Sequence, residues 1–265
     1  MAMQILIINL DVQLQRLQYQ QQQLWKLGLT FQRLPAFDAK QAQQHPVVPS
    51  YWDTWQRPLT WQERACLLSH QKAWEHVRQS GQPALILEDD AVVSVHLPQL
   101  LQATQRFENV DHISLEYRGR KKLIAQTRSA LTDTFALHRL YLDRTGAAAY
   151  ILWPNGARKL LFAAQQKCAL ADAMICQSAT LQSYQVVPAA AVQLDMLASC
   201  GGTNPEYAKS SIGDSPGRSQ QRTLQQSLRR ILAQLQMGWR QVKALTKARR
   251  THIPVDTSLT LKVNS

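Results

Sequence analysis

Short, uninterrupted apolar runs alternate along the chain with stretches of helical periodicity. Ile5, Leu6, Ile7 and Ile8 form the first run. A Gln-rich helix follows, from after Asp11 to Leu27-Gly28, with Gly28 placed to end it. Phe31 to Phe37 reads as a second strand. Thr60-Trp-Gln-Glu63 is a capping box that sets the start of a helix running to Ser80, with Gly81 as its stop. Ala84 to Leu87 is a run with the composition of a strand buried on both faces. Further strands are expected at His112–Leu115, Thr145–Leu152 and Gln185–Val187, and helices at Leu97–Arg106 and from Pro154 through Leu161. Strand, helix, strand in this order predicts an α/β fold built on a mostly parallel, Rossmann-like sheet flanked by helices. Two polar stretches, Gln41–Pro58 and Glu116–Ala136, read as loops. Loops of that length in a compact domain are often functional.

The pattern changes character after residue 215. Leu224, Leu228, Ile231, Leu235, Val242 and Leu245 recur at three- and four-residue spacing, with Leu232 and Trp239 alongside. Arg222, Arg229, Arg230, Arg240 and Lys243 lie among them, and no acid occurs between Asp214 and Asp256. This is a cationic amphipathic helix whose composition suits the surface of an anionic membrane. A C-terminal helix docked on the body would show the same spacing. The expected organisation is a body over residues 1–215, a basic helical tail over 216–250, and a disordered end over 251–265.

Charge sharpens that division. The net charge is +12. Residues 216–265 carry ten Lys+Arg against one acid, leaving the body nearly neutral. A basic isoelectric point spread over a whole domain would suggest nucleic acid. Here the excess belongs to the tail, so no nucleic-acid partner is expected for the body. The four cysteines (66, 168, 176 and 200) show neither CxxC pairs nor zinc spacing, and free thiols in a reducing cytosol are expected. Met1 to Leu10 lacks the basic start and long apolar run of a signal peptide, and no stretch approaches the ~20 apolar residues of a membrane span.

The candidate chemistry lies where the Ala84–Leu87 strand should end. Glu88, Asp89 and Asp90 set three consecutive carboxylates there, and ligands of open α/β sheets gather at the carboxyl ends of strands. Their mutual repulsion is relieved by a cation or by water. Mg²⁺ or Mn²⁺, which prefer oxygen ligands, fit the charge and the position; a solvated acidic turn is the plain alternative. Asp172 is a single acid in the apolar frame Ala169–Met174. Such a carboxylate is either paired or functional, and desolvation raises its pKa toward that of a general base. His70 falls on the packed face of its helix, as a satisfied core histidine or as a ligand.

Laid out in order, these pieces resemble glycosyltransferase family 25, the lipooligosaccharide galactosyltransferase group. Asn9-Leu10 with Arg16, Leu27-Gly28 and Phe37-Asp38-Ala39 match its opening. Leu59-Thr60-x-x-Glu63-x-x-Cys66-Leu67-x-Ser69-His70 resembles its "LTxGExGCxLSH" stretch, and Ala84–Asp90 its "ALILEDD" hallmark. Gly146-x-x-x-Tyr150-Ile151 with Gly156-Ala157 and Leu160-Leu161, then Asp172, Val187-Pro188 and Ser211-Ile212-Gly213, complete the series over residues 4 to 213. The family's glycines in Gly-Glu-x-Gly-Cys are replaced here by Gln62 and Ala65, with Arg64 between Glu63 and Ala65.

The resemblance implies a GT-A-like fold, Mn²⁺ or Mg²⁺, a UDP-sugar donor and inversion at the anomeric carbon. Glu88 and Asp90 are the expected metal ligands, and Asp172, as the isolated acid in an apolar frame, is the first candidate for the base, with a helix-capping or core-paired Asp as the alternative. Asn9, Arg16, Asp38, Glu63, Ser69, His70 and Asp89 are the implied donor-binding set. The expected activity is transfer of a hexose, galactose foremost, to a lipooligosaccharide or other cell-surface glycan. The tail is expected to make peripheral contact with the cytoplasmic face of the inner membrane. The competing reading is a degenerate, non-catalytic transferase acting as a membrane or nucleic-acid adaptor through its basic tail. A metal-dependent phosphohydrolase ranks behind both, because no second ligand set with metal spacing is evident.

Overall fold

The computed structural model describes residues 3–143, 146–201 and 224–259. The chain opens with β1 (Gln4–Asn9), α1 (Leu14–Trp25), β2 (Gln32–Pro35), α2 (Ala39–Gln44), α3 (Pro49–Trp52) and α4 (Trp61–Ser80). There follow β3 (Ala84–Glu88), β4 (Ala91–Val93), α5 (Leu97–Thr104), β5 (His112–Ser114), β6 (Glu116–Tyr117), β7 (Lys122–Ala125), β8 (Ser129–Ala130), β9 (Ala136–Leu142) and β10 (Ala149–Leu152). The last elements are α6 (Pro154–Gln166), α7 (Ala171–Gln177), β11 (Ser183–Val187), β12 (Ala191–Gln193), α8 (Leu224–Ala244) and β13 (Ala248–Thr251).

The main sheet has the order β13-β7-β9-β11-β5-β10-β3-β1-β2, with β8 beside β9. β2, β1, β3, β5, β11 and β7 run one way, while β10, β9 and β13 oppose them. The expected mostly parallel α/β sheet is therefore present. A small second sheet, β4-β12-β6, lies beside it. The apolar runs of β1 and β3 feed both faces, as continuous hydrophobic strands must. Leu6, Ile8 and Ile86 pack with Trp74, Tyr150 and Leu160 on the α4/α6 face. Ile5, Ile7, Leu85 and Leu87 pack with Leu24, Leu97 and Ile113 on the other.

Helix boundaries follow local chemistry. Thr60 and Glu63 form the capping box at the start of α4, and Gly81 closes that helix in the left-handed conformation. Gly28 is likewise left-handed, at φ +67°. Gly156 in α6 is required for a different reason. A Cβ there would lie 2.3 Å from the backbone oxygen of Asp111, so α6 meets the start of β5 at backbone contact.

Three expectations are corrected, and one strand, β9, was not foreseen. Gln41–Pro58 is not a bare loop: it holds most of α2 and all of α3, and Asp38 caps α2 through a capping box with Gln41. Glu116–Ala136 contributes β6, β7 and β8. β9 was hidden by its polar residues, but it lies between β11 and β7 with His138 Nδ1 at 2.9 Å from the Ala125 carbonyl. The end of the chain is not disordered through residue 259. β13 pairs antiparallel with β7, Val255 bridges Ala189, and Asp256 accepts hydrogen bonds from Ser94 and Ser258. Ile253 and Leu259 are buried, which explains why this segment is held. The expected boundary at 215/216, Ser211-Ile212-Gly213, Arg222, Thr145 and residues 260–265 lie outside the described residues.

Candidate active site

Register places the candidate chemistry. In the parallel pair β1–β3, Ile8 faces Glu88, and in β1–β2, Asn9 faces Pro35. The carboxyl ends of the three strands therefore bring Asn9, the Glu88-Asp89-Asp90 turn and Asp38 to one edge of the sheet.

Asp89 is buried and locked. Its carboxylate accepts from Asn9 Nδ2 at 2.8 Å and from Arg16 Nη1 at 3.0 Å, and Arg16 lies 3.9 Å from Asp90. Burial pushes the Asp89 carboxyl above its usual range, against the opposing pull of Arg16 and Asn9. The backbone of the turn is held from α1. Gln20 Nε2 donates to the carbonyls of Asp89 and Ala91, and Gln23 donates to the carbonyl of Ala91 while accepting from the Val93 amide. Both glutamines are buried. In the Gln-rich helix α1, Arg16, Gln20 and Gln23 at i, i+4 and i+7 form one face. That spacing, together with Leu24, was the available signal.

Glu88 is held on both oxygens. Oε2 accepts from Gln193 Nε2 at 3.2 Å, and Oε1 lies 3.1 Å from His70 Nε2. Behind His70 stands a chain of buried groups. Trp74 Nε1 donates to the Tyr150 hydroxyl at 2.8 Å, and that hydroxyl lies 2.9 Å from His70 Nδ1. Indole can only donate, so the Tyr150 oxygen accepts from Trp74; the Glu88 carboxylate at the other ring nitrogen can only accept, which leaves Nδ1 to take the Tyr150 proton. In the neutral imidazole the remaining proton then sits on Nε2 and points at Glu88. Cys66 joins this corner: its sulfur, a His70 ring nitrogen and a Glu88 oxygen lie within 4.8 Å of one another. Burial and the surrounding carboxylates hold its thiol well above the usual range.

Two buried carboxylate oxygens here, Oδ1 of Asp90 and Oε1 of Glu116, have no hydrogen-bond partner among the described residues. Burial, then the charges of Glu88 and Asp89, raise the Asp90 carboxyl well above the normal range. Glu116 is pushed up to about 8 by burial, with Glu88 adding to the effect. Its other oxygen accepts from the Ala148 amide, and Gly146 (φ +106°) packs so closely that a Cβ would lie 2.8 Å from it. The Glu116 carboxyl was not foreseen; the polar run around it read as a loop.

Asp172 lies in the first turn of α7, half-buried, accepting from the Ala173 amide. Its carboxyl is pushed up to about 6, chiefly by burial, with Glu88 and Asp143 adding repulsion. The desolvated carboxyl expected from its apolar frame is thus present. The rest of the expected donor-binding set is engaged within the protein. Glu63 pairs with both terminal nitrogens of Arg57 (2.8 and 2.7 Å) and accepts from the Thr60 amide. Ser69 donates to the Ala65 carbonyl and accepts from the Phe37 amide, tying α4 to the chain just after β2. Arg64, which stands between the two positions where the family pattern has glycine, is folded into a stack. Its guanidinium lies 4.2 Å from the Trp61 ring centroid and 5.0 Å from that of Trp52, and its Nε donates to the Leu59 carbonyl.

With this arrangement in view, the family model of glycosyltransferase family 25 (LPS biosynthesis protein) matches residues 2–175. The chain belongs to glycosyltransferase family 25. That span contains Asn9, Arg16, the Glu88-Asp89-Asp90 turn and Asp172. Among relatives, a glycosyltransferase 25 family member of Anopheles gambiae is 30% identical over 174 residues, covering 59% of this chain and 28% of the relative. One from Drosophila pseudoobscura pseudoobscura is 30% identical over 170 residues (60% and 27%). Procollagen galactosyltransferase 1-B of Xenopus laevis is 25% identical over 177 residues (60% and 28%). The match thus spans little more than a quarter of the length of these relatives.

Proposed function

We propose that this family 25 chain is an inverting, metal-dependent glycosyltransferase. It moves a hexose, galactose foremost, from a UDP-sugar to a lipooligosaccharide or related cell-surface glycan. The observation that carries the reading is the Glu88-Asp89-Asp90 turn at the carboxyl ends of β1 and β3, with Asp172 in its electrostatic reach. The family description as LPS biosynthesis protein and the procollagen galactosyltransferase among the relatives support the acceptor class and the sugar.

The residues fit a divalent cation. A buried Asp90 oxygen with no partner among the described residues, beside two further acids, is the environment that a hard cation relieves. Glu88 and Asp90 would hold it, and it would supply charge neutralisation for the departing diphosphate. Asp89 is the anchor of the turn, held by Asn9 and Arg16. His70, fixed by Tyr150 and Trp74, orients Glu88. Asn9, Arg16, Asp38, Glu63, Ser69, His70 and Asp89 make up the donor side, the first and last through the locked turn and Asp38 at the neighbouring strand end.

Asp172 takes the proton from the acceptor hydroxyl as that oxygen bonds to the anomeric carbon. The bond from that carbon to the phosphate oxygen breaks on the opposite face, its electron pair leaves with UDP, and configuration inverts. A base whose pKa lies near 6 is deprotonated at neutral pH yet basic enough to accept this proton. The enzyme works at the cytoplasmic face of the inner membrane, with peripheral contact through the tail. Asp90→Asn tests the reading: Mn²⁺-dependent transfer should be lost with the melting temperature retained. Turnover at the wild-type rate would remove the metal assignment.

A further inference from the structure

The helix α8 is mounted inside out. At 100° per residue, Leu224, Leu228, Ile231, Leu235, Trp239 and Val242 share one face, and each is more than half exposed. The opposite face carries Gln226, Arg229, Arg240 and Ala244. Gln226 and Ala244 are the buried residues of this helix. Arg240 donates to the carbonyls of Cys176 (2.9 Å) and Tyr141 (3.0 Å), and Arg229 donates to the carbonyl of Asp53. A helix that closes a hydrophobic core turns its apolar stripe inward. This one is clipped to the body by its polar side and shows the stripe to solvent. Among the described residues nothing covers it.

We infer that the apolar face of α8 is a docking surface for an anionic lipid bilayer, and that docking sets the Asp172 end of the site against that bilayer. Charge selects the occupant. Residues 224–250 contain no acid; Arg230 and Lys243 are exposed on the helix, and Lys247, Arg249 and Arg250 are exposed just after it. Lys243 also lies 5.2 Å from the Trp239 ring, the pairing of cation and amphipathic ring suited to a headgroup boundary. A second copy of the chain would bring the same positive charge against itself, whereas anionic lipid neutralises it. No described helix is long and apolar enough to cross a membrane, so the contact is one that lies on the surface. The orientation follows from the clips. Cys176 belongs to α7, the helix that carries Asp172, and Tyr141 to the neighbouring β9. An acceptor taken from the bilayer would therefore arrive from the side of the base. This last step rests on the transferase reading; the docking itself does not.

The test is sedimentation of the full chain with vesicles of phosphatidylcholine alone or with phosphatidylglycerol, at low and high salt. Binding to the anionic vesicles is expected, with little to the neutral ones and at least tenfold weakening at high salt. Ile231→Asp with Leu235→Asp should abolish sedimentation while UDP-sugar turnover with a soluble acceptor and the melting temperature stay at wild-type values. Three results would overturn the inference: wild-type protein left in the supernatant, undiminished binding by the variant, or a wild-type dimer that the variant dissociates. Loss of soluble turnover in the wild type would count against the transferase reading and leave the docking result standing.

Discussion

Arg16 is the cation on which the acidic turn depends, and replacing it with methionine tests that dependence. Its guanidinium lies 3.0 Å from Asp89 and 3.9 Å from Asp90, and all three side chains are nearly buried. At an effective dielectric of about 20, the nearer pair alone is worth roughly 5 kcal/mol of direct attraction. Desolvation of Arg16 offsets part of this. Leaving a buried carboxylate without its partner typically costs about 3–5 kcal/mol. Methionine keeps the apolar stem, so little of the loss should come from a cavity.

The sign of the pH dependence distinguishes a charge effect from a packing effect. Asp89 already titrates above its ordinary value, and without Arg16 it should titrate higher still. Below that raised folded pKa the native state takes up a proton that the unfolded chain binds only near pH ~4. The deficit relative to wild type should therefore be largest at neutral pH and narrow as pH falls toward 5. Urea unfolding at both pH values measures it. Adding Asp89→Asn to the variant should restore at least half of the lost stability, since the orphaned charge is then gone. A deficit below about 1 kcal/mol, or one independent of pH, would refute the argument.

Other outcomes follow from the same geometry. Asp172→Asn should lower turnover by at least tenfold and leave UDP binding intact; wild-type turnover should fall as pH drops through about 6, where the base becomes protonated. Initial rates across pH 5 to 8 check both. Tyr150→Phe should cost about 1–3 kcal/mol, because the buried Trp74 indole loses its acceptor. The same variant should weaken Mn²⁺ binding, since the proton on His70 is no longer directed; calorimetric melting and metal titration read the two effects. Gly156→Ala should destabilise by about 1–3 kcal/mol, because its Cβ meets the Asp111 backbone rather than a side chain that could swing away. A melting temperature equal to wild type would show that α6 can shift.

What could be read along the chain was what depends on local pattern. The β1 and β3 runs, the Thr60–Glu63 capping box, the acidic turn and the apolar stripe of α8 all announce themselves within a few residues. What stayed hidden depends on partners distant in the chain. Lys122 falls in Glu116–Ala136, the polar stretch that read as a loop. It is buried against Asp143 at 2.6 Å and donates to Gln185 and Ser114, a set that no local window contains. His138 and Arg139 interrupt the apolar alternation of β9. Arg139 can stay because it donates to the carbonyls of Leu181 and Ser183 while its guanidinium lies near Tyr184. Glu116 owes its raised carboxyl to burial and to the charge of Glu88, and both come from segments distant in the chain that β6 pairing and the approach of Gly146 bring around it. In the tail, periodicity gave the helix and its stripe, but the outward direction of that stripe came only with the contacts of Arg229 and Arg240.

The central claim is metal-dependent transfer from a UDP-hexose, and UDP release from a panel of UDP-hexoses tests it most directly. The assay is run with Mn²⁺ and with EDTA, on soluble and lipid-linked glycan acceptors. The account predicts turnover of one donor, UDP-galactose, stopped by EDTA and absent in Asp90→Asn. No turnover of any donor, with no thermal stabilisation by UDP in Mn²⁺, would contradict it.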